Sequence, residues 1–358
     1  MKDCFRVDAS IQMGSGHVMR CLCLGEALKK QGADVLFISR ALPGNLNDLV
    51  RQKGFALEEL EFIPNQFNKN KLSHASWLGE SWDRDASQTI EILKKMGSFD
   101  WLVMDHYALD IHWQFLVRPY INKLMVIDDL ADRSHDCDLL LDQNLIPDLK
   151  TRYQQLVPQT CKQLLGPQYA LLREEFRIAR ETLEERDGYV RRILVYFGAV
   201  DPLQLTLKAM DSIRALNKAA LIVDVVVGKA NPLSEAIKNR CSVYGFYFYE
   251  QMDNMALLMA QADLAIGAGG TTTWERCCLG LPSIVSVVAE NQRESVACLE
   301  DKKLILLCPG EPENYGNSLI NLLRQAMQDS AAMKNLSFLG SQLVSGDGCV
   351  KAVEELLK

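Results

Sequence analysis

A short apolar run, Phe5 to Val7, leads toward Gly14-Ser15-Gly16-His17, and a helix-patterned stretch carrying Val18, Cys21, Leu22 and Leu28 follows. A strand, a glycine turn and a helix in that order aim backbone N–H groups and the positive end of a helix dipole at one spot, which suits a phosphate. Here the same spot also receives an imidazole. A group able to take a proton thus sits where a phosphate ester can bind. Glycine turns of this kind are common in α/β proteins, and a histidine that merely caps its helix is the plain alternative. The rest of the chain has to decide between them.

The first half of the chain alternates short β-rich runs with helix-patterned segments. Asp34 to Ser39 reads as a second strand and Leu46 to Lys53 as a short helix closed by Gly54. Pro64 to Trp82 has no clear period and reads as a long loop or lid carrying Trp77 and Trp82; Arg84 to Lys95 reads as a helix ended by Gly97. Three further strands, Trp101–Met104, Lys123–Ile127 and Leu139–Leu141, run into Asp105-His106-Tyr107, Asp128-Asp129 and Asp142-Gln143-Asn144. Ligands of open parallel sheets bind beyond the carboxyl ends of the strands. Aspartate is also a preferred helix cap, so some of these clusters serve turns.

A charged, helical stretch from Glu174 to Arg192 reads as the connection to a second series. Strands are expected at Ile193–Phe197, Leu221–Val227, Val243–Phe248, Asp263–Ile266 and Ser283–Val288, and a helix at Met252–Ala260. The tail from Glu313 onward reads as helical, ending in a helix over Val350–Leu357 opened by Gly346-Asp347-Gly348. Two βα series, each with a glycine turn opening a helix, predict two doubly wound domains facing across a cleft.

A net charge of −7 with no dense basic tract argues against a nucleic-acid surface or a polybasic membrane patch. An anionic ligand must then be met by helix N-termini, glycine loops and a few arginines. The eleven cysteines form no Cys-x-x-Cys pair, which favours reduced, buried thiols over a metal site. Arg6 and Asp8 interrupt the only early apolar run, and no stretch reaches the ~18 apolar residues of a membrane span. The expectation is a cytoplasmic monomer with no nucleic-acid or membrane partner, no cofactor and no metal.

Dinucleotide binding is disfavoured: Met19 stands where a third fingerprint glycine belongs, and strand two ends in Ser39-Arg40 instead of an acid. The second strong feature is Gly267-Ala268-Gly269-Gly270-Thr271-Thr272-Thr273-Trp274-Glu275. Its glycines let a ligand approach the backbone, and its threonines offer hydroxyls and N–H groups at a helix start, which suits a diphosphate. Glu275 could accept two ribose hydroxyls. The plain alternative is a threonine cap with a dipole-compensating acid. Three glycines and three threonines exceed what a cap needs.

FRVDAS, GSGHVMRC, MDHY at 104–107, YALLREEF at 169–176, GAGGTTTWERC and ENQRES, taken in order, resemble the UDP-sugar hydrolases of pseudaminic acid biosynthesis, over residues 4 to about 300. The resemblance implies a GT-B fold, similar to the transferase that adds N-acetylglucosamine to peptidoglycan lipid I. It implies cleavage of UDP-2,4-diacetamido-2,4,6-trideoxy-β-L-altropyranose to UDP and free sugar, with inversion at C1, by water attack and without a metal. The product would feed flagellin or other surface glycans. Carried over, the base falls on His17. Sugar and water contacts fall on Gly14, Gly16, Tyr107 and Asn291. Nucleotide contacts fall on Gly269, Gly270, Thr271, Thr272, Thr273 and Glu275. The expected domains are 1–185 with the catalytic turn and sugar site, 186–340 for UDP, and 341–358 as a helix returning to the first. One departure is Gly198-Ala199, where relatives often have two glycines.

Two other functions compete. A transferase using a UDP-amino sugar would show an apolar and basic patch for a lipid acceptor, and Leu42 to Phe67 is not notably basic. A non-catalytic nucleotide-sugar sensor would need no base at position 17.

Overall fold

The computed structural model describes residues 1–63, 72–229, 231–252, 254–309 and 314–358. They form two compact units. One holds Met1–Asn144, Asp148–Leu171 and Asp347–Lys358; the other holds Leu145–Pro147 and Leu172–Gly346.

The first unit is built on seven parallel strands: β1 (Lys2–Val7), β2 (Asp34–Arg40), β3 (Ala56–Leu60), β4 (Trp101–Asp105), β5 (Lys123–Ile127), β6 (Leu139–Asp142) and β7 (Lys162–Leu165). Their order is β3-β2-β1-β4-β5-β6-β7. Alternate residues of each strand face opposite layers, so both faces must be apolar. Phe5, Val7, Phe37 and Val103 pack under helices Gly16–Lys30 and Gly348–Leu356, while Cys4, Leu36, Ile38, Leu102 and Met104 pack under Trp82–Met96 and Ile111–Val117. The strand order reverses direction between β1 and β4. The loops leaving those two strands are therefore the ones that flank an open crevice.

The second unit repeats the plan with β8 (Arg192–Tyr196), β9 (Ile222–Val227), β10 (Tyr247–Glu250), β11 (Leu264–Ala268), β12 (Ser283–Ser286) and β13 (Leu306–Leu307), all parallel, in the order β10-β9-β8-β11-β12-β13. Its switch lies between β8 and β11. Ile193, Val195, Val225 and Ile266 form its core with Ala209, Ile213, Leu319 and Leu323 of the covering helices. Both units thus have the Rossmann-like architecture of a GT-B-like fold.

Several boundaries differ from those expected. The units divide at Leu171–Leu172, ahead of residue 185, because helix Glu174–Glu181 packs in the second unit, where Arg180 donates to the carbonyls of Cys278 (2.6 Å) and Ser341 (2.8 Å). That helix is also shorter than the charged stretch suggested. The returning segment starts at Asp347, not 341, since helix Ser330–Leu343 packs on helix Thr272–Cys278. Val243 and Tyr244 end a helix, Ser234–Tyr244, capped by left-handed Gly245, and the strand begins only at Tyr247. Of the expected loop from Pro64 to Trp82, residues 64–71 lie outside the described residues; Ala75–Leu78 is a 3-10 turn, and Trp82 opens a helix whose cap Ser81 accepts the Arg84 N–H. Among the described residues no helix is long and apolar enough to cross a membrane.

Candidate active site

In the first unit the chain leaves β1 at Val7 and doubles back on itself, the Gly14 N–H donating to the Ser10 carbonyl (2.8 Å). Gly14 takes φ +75°, the left-handed region open to glycine. Helix Gly16–Lys30 then starts with no side-chain cap and no acid in its first turn. Its first amides, Gly16 among them, lie outside the helical ladder. His17 is its second residue, with only 6% of its surface exposed.

β4 pairs with β1, Asp105 opposite Val7, which brings the end of β4 beside the turn. Asp105 Oδ1 accepts from His17 Nδ1 at 2.6 Å. Arg20, one helical turn after His17, donates through Nε to Asp105 Oδ2 (2.6 Å), through one terminal nitrogen to Asp105 Oδ1 (2.7 Å), and through the other to Asp129 Oδ2 (2.9 Å). Burial opposes the charge on Asp105, but the Arg20 guanidinium and His17 outweigh it and hold the carboxyl well below the usual carboxylate range. An ionised Asp105 requires the proton of His17 to sit on Nδ1. The Nε2 lone pair of the neutral ring is then free.

Tyr107 stands edge-on to His17 with ring centroids 4.5 Å apart, and its hydroxyl donates to Asp129. Beside it lie His74 and Trp77, with centroids 5.2 and 5.6 Å from that of Tyr107. Neighbouring His106 turns inward, fully buried, 3.3 Å from Asp8. Asp8 in turn accepts twice from Arg6, which also pairs with Asp85. Asp128 accepts from Ala131 N and the Tyr153 hydroxyl and pairs with Arg133 at 2.8 Å. His106 and Asp128 thus brace the loops.

In the second unit β11 ends beside β8, Gly267 opposite Tyr196, and the glycine turn follows. A Cβ on Gly267 would lie 2.3 Å from the Tyr196 carbonyl oxygen, and one on Gly269 2.2 Å from Val296 Cγ2. Gly270 meets nothing nearer than Gln292 at 3.7 Å, so its backbone is open on that side. The first bonds of helix Thr272–Cys278 run from Thr273 N to Gly270 O and from Trp274 N to Thr271 O, which leaves the amides of 270–272 ahead of the ladder. Thr271 is exposed and Thr272 half-buried, whereas the buried Thr273 hydroxyl accepts from Arg276 at 2.9 Å. Glu275, in the first turn, accepts from Arg173 at 3.2 Å, and burial raises its pKa against the pull of that arginine. Asn291 is exposed on the short turn Glu290–Gln292. At Gly198-Ala199 the Ala199 backbone lies 2.6 Å from where a Cβ on Gly228 would be, so Gly228 leaves room for the chain there.

His17, Tyr107, Gly14 and Gly16 thus meet in the first unit, and the 269–273 loop and Glu275 meet in the second. The sequence pointed to the ends of these strands but not to Asp105, Arg20 and Asp129 as the brace of His17. Arg20 at i+3 from His17 was the one available signal.

Residues 193–337 match the glycosyltransferase family 28 C-terminal domain. The chain is 32% identical to the spore coat polysaccharide biosynthesis protein SpsG of Bacillus subtilis, across 96% of this chain and 94% of that one. It is 24% identical to the UDP-2,4-diacetamido-2,4,6-trideoxy-β-L-altropyranose hydrolase of Campylobacter jejuni, over 84% of this chain and 97% of that one. It is 26% identical to protein MJ1062 of Methanocaldococcus jannaschii over 84% of its own length, spanning 58% of that longer relative. Among solved structures it resembles a UDP-GlcNAc 2-epimerase from Neisseria meningitidis (TM-score 0.67, 12% identity, all of both chains) and MurG of Acinetobacter baumannii (TM-score 0.65, 13% identity, 99% of both). The structural matches establish the GT-B-like fold alone. With nearly a third of its residues shared with SpsG from end to end, the chain belongs to the family that holds SpsG and the UDP-diacetamido-trideoxyaltropyranose hydrolase.

Proposed function

We propose that the chain hydrolyses a UDP-sugar of the UDP-2,4-diacetamido-2,4,6-trideoxy-β-L-altropyranose type to UDP and free sugar, inverting C1, as in pseudaminic acid biosynthesis. The observation that carries this reading is the His17 Nδ1–Asp105 contact at 2.6 Å, which turns the ring so that Nε2 can take a proton. Water attacks C1 from the face opposite UDP, His17 accepts its proton, and the C1–O bond to the diphosphate breaks. Ordinary glycosides need a second carboxyl as acid because their leaving groups are poor. UDP leaves well, so one base suffices. Tyr107 and Asn291 would position sugar and water. Gly269 to Thr272 would hold the diphosphate through N–H groups and hydroxyls, Thr273 would hold Arg276 in place behind them, and Glu275 would take the ribose hydroxyls. Nothing in this scheme calls on a divalent metal.

A transferase passing the same sugar to an acceptor is the second reading, favoured by the family 28 match over residues 193–337. UDP release from the purified protein with no acceptor, in excess EDTA, separates the two. In ¹⁸O-water the label should enter the sugar and not UDP; label on phosphate would mean attack at phosphorus and remove His17 from the chemistry. His17→Ala should keep UDP affinity and lose turnover about 10²–10⁴-fold, the usual worth of a positioned base.

A further inference from the structure

The 3-10 turn Ala75–Leu78 has three residues per turn, so positions three apart share a face. Ala75 and Leu78 face inward and are buried, and the turn is closed by Gly79 at φ +64°. A Cβ on Gly79 would lie 2.9 Å from Leu42 Cδ2. The turn is therefore fixed in place by packing, and its other face presents His74 and Trp77, both half-buried. Their rings meet at 4.4 Å and 68°. Trp77 lies nearly parallel to Tyr107, at 28°, while His74 tilts across both. Three rings in two orientations make a corner, whereas a flat platform would suit the face of a sugar ring.

Tyr107 gives its own hydroxyl to Asp129, and His74 Nδ1 is buried with no hydrogen-bond partner among the described residues. Burial also lowers the pKa of His74, which favours the neutral ring. Tyr107 is itself buried, its ring stacked against Trp77 and 5.9 Å from the Arg133 guanidinium, so the ring surface left open beside His17 is that of half-buried Trp77 and His74, where the reacting sugar has to lie if His17 is the base.

We infer that Trp77 and His74, backed by Tyr107, form a subsite for an apolar substituent of the sugar, an N-acyl methyl or the methyl of a 6-deoxy sugar, and that this subsite selects acylated deoxy sugars over fully hydroxylated ones. The inference rests on the reading of His17 as the group at the sugar. One lost methyl contact in an apolar pocket changes binding about 10- to 100-fold, and burying a methyl against aromatic rings gains from both area and dispersion.

The test is calorimetry in a His17→Ala background, which slows turnover, using UDP, UDP-glucose and UDP-2,4-diacetamido-2,4,6-trideoxy-β-L-altropyranose as probes. Trp77→Ala should weaken the acylated deoxy sugar about 10- to 100-fold and leave UDP and UDP-glucose unchanged. Trp77→Phe should restore most of the loss. An equal loss for all three probes, no loss for any, or a parent that binds the acylated sugar no better than UDP-glucose overturns the subsite. Absence of acceptor-free UDP release by the wild type would instead sink hydrolysis and leave this binding difference to be read.

Discussion

Asp105 can act on the sugar only through His17, because its two oxygens are taken by His17 and Arg20. Asp105→Asn keeps the shape but offers an amide where a carboxylate was, and favours the wrong imidazole tautomer. A drop in kcat of about 10²–10⁴-fold is expected, with UDP affinity unchanged by calorimetry. If the carboxylate were only a structural brace, melting temperature and not kcat would carry the effect. Asp142, at the end of β6 two strands along the sheet, shows the opposite electrostatics. Burial, with Asp129 adding to it, pushes its pKa up to about 7, while its Oδ1 accepts from Asn144 N and its Oδ2 lies 3.1 Å from the Tyr153 hydroxyl. The folded state then holds a proton that the unfolded chain has released above pH ~4. Asp142 therefore stabilises fully below that pH, and its contribution falls as pH rises toward 7, by up to about 1.4 kcal/mol per pH unit. Denaturant melts at pH 5 and pH 8 should show that loss shrinking in Asp142→Asn; an unchanged difference would mean the carboxyl titrates normally.

Where an element has a strong internal signal, the sequence reveals it; where only a neighbour defines it, the sequence does not. β4, β5 and β8 carry continuous apolar runs and were legible, as were both glycine turns and, through the first of them, β1, whose run Arg6 interrupts. β3 reads Ala-Leu-Glu-Glu-Leu, a helix-like string that becomes a strand only by pairing with β2. Helix Ser234–Tyr244 hides in the same way, since only Ile237 and Cys241 are buried. His17, Tyr107 and Glu275 could be picked out from motif and resemblance. Arg20, Asp105 and Asp129 converge from three separate elements, and convergence has no local signature. The turn after β11 illustrates what packing adds to a motif. Gly269→Ala would place a methyl 2.2 Å from Val296 Cγ2, on the stiff side chain of helix Arg293–Asp301. Overpacking of this kind costs about 1–3 kcal/mol. Val296→Ala should recover much of it, so the double variant should melt above the sum of the singles. Additive losses would mean that Val296 is not the obstacle.

At the scale of the whole molecule, the first unit is closed by a segment from the far end of the chain. Helix Gly348–Leu356 lies against Gly16–Lys30, the helix that carries His17, and the Trp101 indole donates to the Leu356 carbonyl at 2.9 Å. Gly348 sits where a Cβ would come within 2.2 Å of the Ala170 carbonyl. A chain stopped after Gly346 loses the buried Cys349, Ala352, Val353 and Leu356. It should destabilise the first unit by several kcal/mol, at about 1.5–3 kcal/mol for each large apolar side chain uncovered, and leave the second nearly unchanged. Hydrogen exchange followed in each unit would show it, and equal loss of protection in both would refute it. The same arrangement sets an order on biosynthesis. Residues 172–346 are a nearly uninterrupted length of chain and can fold as they leave the ribosome. The unit that begins at residue 1 must wait until residue 356 has emerged, so the half with the proposed base is the last to be completed.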